Sequence, residues 1–354
     1  MFNKGALFTI TVMPTIKDIA REAGVSVTTV SNVIHGKFAR VAGETVSRIN
    51  RIIKAHNYTP NLSARALVNR SSRIIGVINH LIQSQPISFF QDPFHSAVLG
   101  GVEKTLRERG YYMMVRTVAG EDELYSLFNN WNLDGLILTG LFNDSFFARL
   151  LEADKPIVLL DSYIKNDRIF NIGIDDRKGG YMAAEYLIGK GHRKIVFASP
   201  PIIRHGVIEE RFKGYRAALK KNGIPLLAEN VYQQEITLDE GAALGRILGK
   251  RRDITAIFAT ADILAAGIIS GLAQAGRLVP RDISIIGFDD IFYSRVISPP
   301  LTTIRQDVVE KGAVAAGIMA DYLEGREKTP RTIILPLSLV ERDSVSSLNS
   351  SKFK

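Results

Sequence analysis

The stretch Thr15-Ile16-Lys17-Asp18-Ile19-Ala20-Arg21-Glu22-Ala23-Gly24-Val25-Ser26-Val27-Thr28-Thr29-Val30-Ser31-Asn32-Val33-Ile34 carries two helix-start signals with one stop between them. Thr15 followed three positions on by Asp18 has the shape of a capping box. Ile16, Ile19, Ala20 and Ala23 then recur at helical spacing, which predicts a first helix of about two turns with one apolar face. Gly24 ends it, because the turn needs φ > 0 and glycine adopts that conformation without steric cost. Ser26 caps a second helix that buries Val30, Val33 and Ile34 and turns Val27, Thr28, Ser31, Asn32 and His35 outward. Two short helices joined by a glycine-containing turn make a helix-turn-helix, and the small Ala20 suits the close approach of that crossing.

Working outward, a third helix over about 44–57 directs Val46, Ile49, Ile52 and Ile53 inward and Arg48, Arg51 and Lys54 to another face. Tyr58-Thr59-Pro60-Asn61 breaks it, and Asn61 caps a short segment ending near Asn69 that is too short to hold as an isolated helix. On the other side, residues 1–14 read as an N-terminal extension. Its apolar run is interrupted by Thr9 and Thr11, and no small-x-small site follows before Pro14, which argues against a signal peptide. Met13, directly before the first cap, is an alternative translation start to Met1.

The 354-residue chain has a net charge of +9, and that charge is unevenly placed. Residues 1–73 hold eleven basic and three acidic side chains, net +8, whereas the remaining 281 are net +1. A basic head on a neutral body points to a polyanion. Hydrophobic residues at 46% and charged residues at 23% are ordinary globular values, which excludes disorder and fibrous repeats. The absence of cysteine excludes disulfides, thiol catalysis and thiolate zinc sites, and fits a cytoplasmic location. No segment approaches the ~18 apolar residues of a membrane span.

Beyond residue 74, apolar and β-branched runs at 74–79, 112–117, 135–139, 156–161, 172–175, 194–199, 255–260 and 284–289 alternate with amphipathic stretches such as 95–109, 177–190, 210–221 and 263–275. This alternation predicts an α/β body of doubly wound parallel sheets with helices on both faces. The units outnumber one sheet, so two lobes are expected, with ligand bound in the cleft between them at the carboxyl ends of the strands. No dinucleotide fingerprint, phosphate-binding loop or nucleophile elbow is present. The six histidines show no metal-ligand spacing, and His192 in Gly191-His192-Arg193 reads as a turn residue. No catalytic residue, metal ligand or cofactor is therefore called, although a sugar-handling enzyme with an accessory basic head is the competing reading.

The head run, with Asn57-Tyr58-Thr59-Pro60-Asn61 and Ala64-Arg65-Ala66-Leu67, resembles the lactose/galactose-repressor family of bacterial transcription regulators. The body resembles that family's effector-binding core, which is similar to periplasmic sugar-binding proteins. The stretches that carry this second likeness are Asp92-Pro93-Phe94, Lys190-Gly191-His192-Arg193-Lys194-Ile195, Glu210-Arg211-Phe212-Lys213-Gly214-Tyr215, Ile286-Gly287-Phe288-Asp289-Asp290 and Pro299-Pro300-Leu301-Thr302-Thr303-Ile304-Arg305-Gln306.

The resemblance implies a helix-turn-helix domain over 15–60, a hinge helix and linker over 61–73, a two-lobed effector-binding and dimerisation core over 74–343 and a polar tail over 344–354. It implies a homodimeric repressor of an operator in double-stranded DNA, controlled by a small-molecule effector that is a sugar or sugar derivative, with no membrane partner. Val27, Thr28 and Asn32 become base readers, with Thr15, Ser31, His35, Arg51, Asn61 and Ala64 as further DNA contacts. Leu67 becomes a minor-groove wedge. Many family members carry arginine where Asn32 stands, so guanine recognition is not carried over to that position. In the cleft, Asp161, Arg211 and Asp289 match effector-contacting positions. Ala261 stands where sugar-binding members often have asparagine, and Ile236 where some have a stacking ring. Arg204 and His205, in the loop after the 194–199 strand, point toward an anionic ligand.

Overall fold

The computed structural model describes residues 14–34, 36–58, 71–80, 90–118, 123, 126–127, 131–140, 145–152 and 155–348. His35, Asn61, Ala64 and Leu67, and the hinge helix read over 61–69, lie outside the described residues. The chain divides into two compact units, 1–72 and 73–354.

In the first unit, α1 (Ile16–Ala23), α2 (Val27–Ile34) and α3 (Gly43–Ala55) pack around Ile19, Ala20, Ala23, Val30, Val33 and Ile49, all buried. The capping box at the start of α1 is present in both directions. The Asp18 amide donates to Thr15 Oγ1 at 3.4 Å, and the Thr15 amide donates to Asp18 Oδ2 at 2.9 Å. Gly24 has φ 62° and closes α1 onto Ala20. The Thr29 amide donates to Ser26 Oγ at 3.1 Å, which caps α2 as the sequence requires.

The second unit contains two six-stranded sheets. Lobe 1 holds β1 (Ile74–Asn79), β2 (Tyr112–Thr117), β3 (Gly135–Thr139), β4 (Ile157–Leu160), β5 (Phe170–Ile174) and β11 (Thr332–Leu335), in the order β11-β5-β4-β3-β1-β2. Lobe 2 holds β6 (Ile195–Ser199), β7 (Val231–Gln233), β8 (Ala256–Ala259), β9 (Ser284–Asp289), β10 (Thr302–Gln306) and β12 (Leu337–Val340), in the order β12-β10-β9-β8-β6-β7. Neighbouring strands are parallel except β12, which runs antiparallel to β10. The central strands are buried along their whole length, as parallel strands covered on both faces must be.

Lobe 1 carries α4 (Pro93–Glu108), α5 (Ser145–Glu152) and α11 (Val308–Leu323). Lobe 2 carries α6 (Asp176–Gly189), α7 (Val207–Lys221), α8 (Leu238–Leu248), α9 (Asp262–Gln274) and the short α10 (Tyr293–Val296). The chain passes between lobes three times, and each passage is one residue long. Asp175 joins β5 to α6, Asp307 joins β10 to α11, and Pro336 joins β11 to β12. Asp175 and Asp307 each cap the helix they begin, accepting from the Lys178 amide at 2.8 Å and the Glu310 amide at 3.0 Å.

Three helix pairs cross at glycines. A Cβ on Gly180 of α6 would lie 2.0 Å from the Arg211 carbonyl of α7, and one on Gly214 would lie 1.9 Å from the Arg177 carbonyl. Gly101 and Gly312 stand in the same relation between α4 and α11, at 2.0 Å from the Val309 carbonyl and 2.1 Å from the Val98 carbonyl. Gly245 and Gly271 repeat it between α8 and α9.

The polar tail read from Ser344 onward does not leave the fold there. Ser344 is fully buried, its Oγ donates to the Ile285 carbonyl at 2.6 Å, and the Leu348 amide donates to the Lys190 carbonyl at 2.8 Å. His192 is buried as well, with Nε2 3.0 Å from the Ser346 carbonyl, so this turn histidine anchors the C-terminal segment.

Gly214→Ala must push α6 and α7 apart, since the atom it meets is backbone. We expect a loss of about 1–3 kcal/mol in urea unfolding, and unchanged stability would show that the crossing is looser than described.

Candidate functional site

A cavity of about 250 Å³ opens between the two lobes of the second unit. It lies at the carboxyl ends of the strands, where an α/β sheet presents ligand-binding groups. Thr139 ends β3, Asp161 follows β4, Pro200 follows β6, Thr260 follows β8 and Asp289 ends β9. Asp92, Phe94 and His95 line it from the start of α4, and Gly206, Val207, Ile208 and Arg211 from the start of α7. The three residues read as effector contacts are thus brought together: Asp161 in lobe 1, Arg211 and Asp289 in lobe 2. Ala261 and Ile236 also line the cavity, and so does His205, whereas Arg204 is not among the lining residues.

Arg211 is held rigidly. Its Nε donates to Asp176 Oδ1 at 2.8 Å, its Nη1 donates to the Thr260 carbonyl at 2.7 Å, and its guanidinium lies 3.7 Å from the centre of the Phe288 ring. The second Asp176 oxygen accepts from the Tyr163 hydroxyl at 2.8 Å. Asp176 is fully buried, and burial pushes its carboxyl up against the opposing pull of Arg211. Such a pair is costly to break, because either partner alone would be an uncompensated buried charge. Arg211 therefore lines the cavity as a fixed, already paired guanidinium instead of a free cation.

Asp289 accepts from Gln306 Nε2 at 2.6 Å. Burial pushes its carboxyl up to about 7, with Arg211, Gln306 and Lys311 pulling the other way. Asp262, also fully buried, accepts from Thr303 Oγ1 at 2.6 Å and from the Ile291 amide at 3.0 Å, and burial and the neighbouring Asp289 raise it. Asp92 caps α4 through the Phe94 amide at 2.9 Å and holds His95 Nδ1 at 2.5 Å.

Asp161, His205 and Asp289 have φ of 52°, 62° and 109°. Non-glycine residues in this region carry strain that only a well-determined surrounding can maintain, and strain of that kind concentrates at ligand sites. Asp176, Tyr163, Asp262, Gln306 and Lys311 escaped sequence reading. Lys311 did leave a signal, as a single cation on the otherwise apolar buried face of α11 formed by Val308, Gly312, Ala315, Ala316 and Met319.

In the first unit, Val27 and Thr28 at the start of α2 are exposed, Ser31 and Asn32 are half-buried on the same helix, and Arg51 is exposed on α3. Thr15 is exposed, but its hydroxyl is engaged with Asp18 at 2.7 Å.

Residues 15–61 match bacterial regulatory proteins of the lacI family, and residues 184–345 match a periplasmic binding protein-like domain. The ribose operon repressor of Haemophilus influenzae is 32% identical over 345 residues, covering 95% of this chain and 100% of that protein. The HTH-type transcriptional regulator DegA of Bacillus subtilis is 32% identical over 356 residues, covering 95% and 99%. Among solved structures, a complex of the transcriptional regulator CelR with cellobiose superposes with a TM-score of 0.69 at 29% identity, covering 94% of this chain and 99% of that one.

The Asp289 carboxyl titrates near pH 7 in the folded chain, against about 4 when unfolded. Its contribution to stability is complete below pH 4 and is lost as pH rises through 7. Wild type should therefore lose stability relative to Asp289→Asn between pH 4 and pH 8 in urea titrations, and a constant difference would contradict the shift.

Proposed function

The chain belongs to the lacI family of bacterial regulatory proteins, and on that premise we propose that it is a cytoplasmic homodimeric repressor whose effector is a small, uncharged polyol of the sugar class. It is a DNA-binding transcriptional regulator with an effector-binding core, and not an enzyme. The observation that carries the effector assignment is the lining of the cavity. Asp161 and Asp289 supply acceptors, Asp92 and Glu235 add acidic side chains, Thr139 and Thr260 also line the cavity, and Arg211 is already committed to Asp176.

Hydroxyl groups can donate to carboxylates and accept from a guanidinium. Among the described lining residues, a phosphate or carboxylate would meet four acidic side chains and one arginine, Arg211, that is already paired with Asp176. The His205 side of the cavity does not outweigh that balance. The size of the cavity, just below the roughly 300–1,000 Å³ common for small-molecule sites, suits a ligand of one or two sugar rings. The ribose operon repressor and the CelR–cellobiose complex show relatives associated with such molecules.

On DNA, α2 lies in the major groove, with Val27 against a thymine methyl, Thr28 against a base edge and Asn32 on adenine. Thr15, Ser31, His35, Arg51, Asn61 and Ala64 make further contacts, and Leu67 enters the minor groove as a wedge. A ligand that prefers one arrangement of the lobes then shifts the population able to hold the operator. Among the described residues no helix is long and apolar enough to cross a membrane.

The test is fluorescence anisotropy with the promoter of the protein's own gene cluster. Asn32→Ala should cost about 1–3 kcal/mol on the preferred site and leave non-specific binding unchanged. Arg51→Ala should weaken all sequences alike and lower the salt slope by about one. Leu67→Ala should reduce operator affinity, and no effect there while Arg51→Ala acts would refute the wedge. If no promoter fragment is bound specifically, the operator assignment fails.

A further inference from the structure

Behind the cavity wall, four side chains form a line from one lobe to the other. Asp161 Oδ1 accepts from Lys311 Nζ at 2.5 Å, the same Nζ donates to Gln306 Oε1 at 2.5 Å, and Gln306 Nε2 donates to Asp289 Oδ1 at 2.6 Å. The two ends line the cavity, whereas Lys311 and Gln306 do not. Lys311 has no exposed surface, Gln306 has 2%, and the Phe94 ring centre lies 5.4 Å from the ammonium. Gln306 is the last residue of β10 and Lys311 lies one turn into α11, so the line runs beside the Asp307 passage between lobes.

The chemistry of the line fixes its direction. An ammonium only donates, so Gln306 must turn its carbonyl oxygen to Lys311 and its NH₂ to Asp289. Oδ1 of each carboxylate is engaged in the line, and both residues also line the cavity. Without the ammonium, the Gln306 carbonyl oxygen would lose its donor, and Asp161 would lose the cation that balances it.

We infer that Lys311 is a positioning residue of the effector site, holding Asp161 and Asp289 from opposite lobes as a matched pair of acceptors for ligand hydroxyls. This rests on reading the cavity as the effector site. It makes affinity depend on both lobes at once, through a group that never touches the ligand. Apolar packing alone would favour leucine or methionine at this place in α11, and a buried charge there is costly unless it is used.

The experiment is calorimetric titration of the full chain with D-ribose, D-glucose, D-galactose and cellobiose, from pH 5.5 to 8.5, with thermal unfolding as the fold control. Wild type is expected to bind at least one of them. Lys311→Met should bind that sugar at least tenfold more weakly. Its affinity should fall further as pH drops, because Lys311 is one of the groups that pull the Asp289 carboxyl down, and without it Asp289 takes up a proton more readily. Asp161→Asn should show a similar loss, and the double variant should be no worse than either single one, as partners in one line require. If Lys311→Met does not fold, Gln306→Met cuts the same line and should give the same loss. Folded Lys311→Met or Gln306→Met with wild-type affinity and pH profile, while Asp161→Asn is impaired, overturns the positioning role alone. Wild type silent toward all four sugars overturns the polyol reading and the inference with it.

Discussion

The backbone contacts made possible by glycine govern where the charged groups of the core stand. The carbonyl that Gly180 admits belongs to Arg211 itself, and the carbonyl that Gly214 admits belongs to Arg177, one residue beyond Asp176. The reach from guanidinium to carboxylate is therefore set by how deeply α6 and α7 sink into each other. At the Gly101–Gly312 crossing, α11 is drawn against α4, and Lys311, the residue before Gly312, comes under the Phe94 ring. Side chains add hydrogen bonds to these placements, but the placements come from the missing methyl groups. Close packing of this kind transmits displacement because interiors have almost no free volume to absorb it.

Around that frame, acids in and behind the cavity wall are held by different partners. Asp176 is tied into a buried pair, Asp92 is held by His95, Asp161 by Lys311, and Asp289 sits near the midpoint of its titration at neutral pH. A surrounding that fixes each partner holds the Asp92 carboxyl down and the Asp176 and Asp289 carboxyls up within one small space. The positive φ of Asp161, His205 and Asp289 belongs to the same economy, since the packing maintains strained backbone where a ligand would be met.

Much of this was legible in the sequence. Caps and periodicity located α1 and α2, because Thr15, Asp18, Gly24 and Ser26 act within a few residues of themselves. Strands β1, β2, β3 and β9 followed from short apolar and β-branched runs, and the alternation implied two lobes. The shorter elements were lost for local reasons. In the run from Ile333 to Val340, Pro336 marks a break, but only the fold shows that the two halves go to different sheets. The cleft residues Asp161, Arg211 and Asp289 were found by resemblance. Asp176 and Gln306 were not, because their importance comes from partners 35 and 17 residues away in sequence. Likewise Ser344 looked like tail until the β9 backbone it bonds was in view.

The three passages between lobes lie at one side of both sheets, where β11 and β12 are edge strands and β5 and β10 are their neighbours. One residue reaches no more than about 3.6 Å, so on this side the lobes cannot separate, and their relative motion is a swing about a fixed line. The far edges, β2 and β7, are five strand spacings away, roughly 24 Å at the usual inter-strand distance. A swing of ten degrees at the line moves those edges by about 4 Å, so the core works as a lever with its fulcrum beside Gln306 and its long arm at the opposite rim.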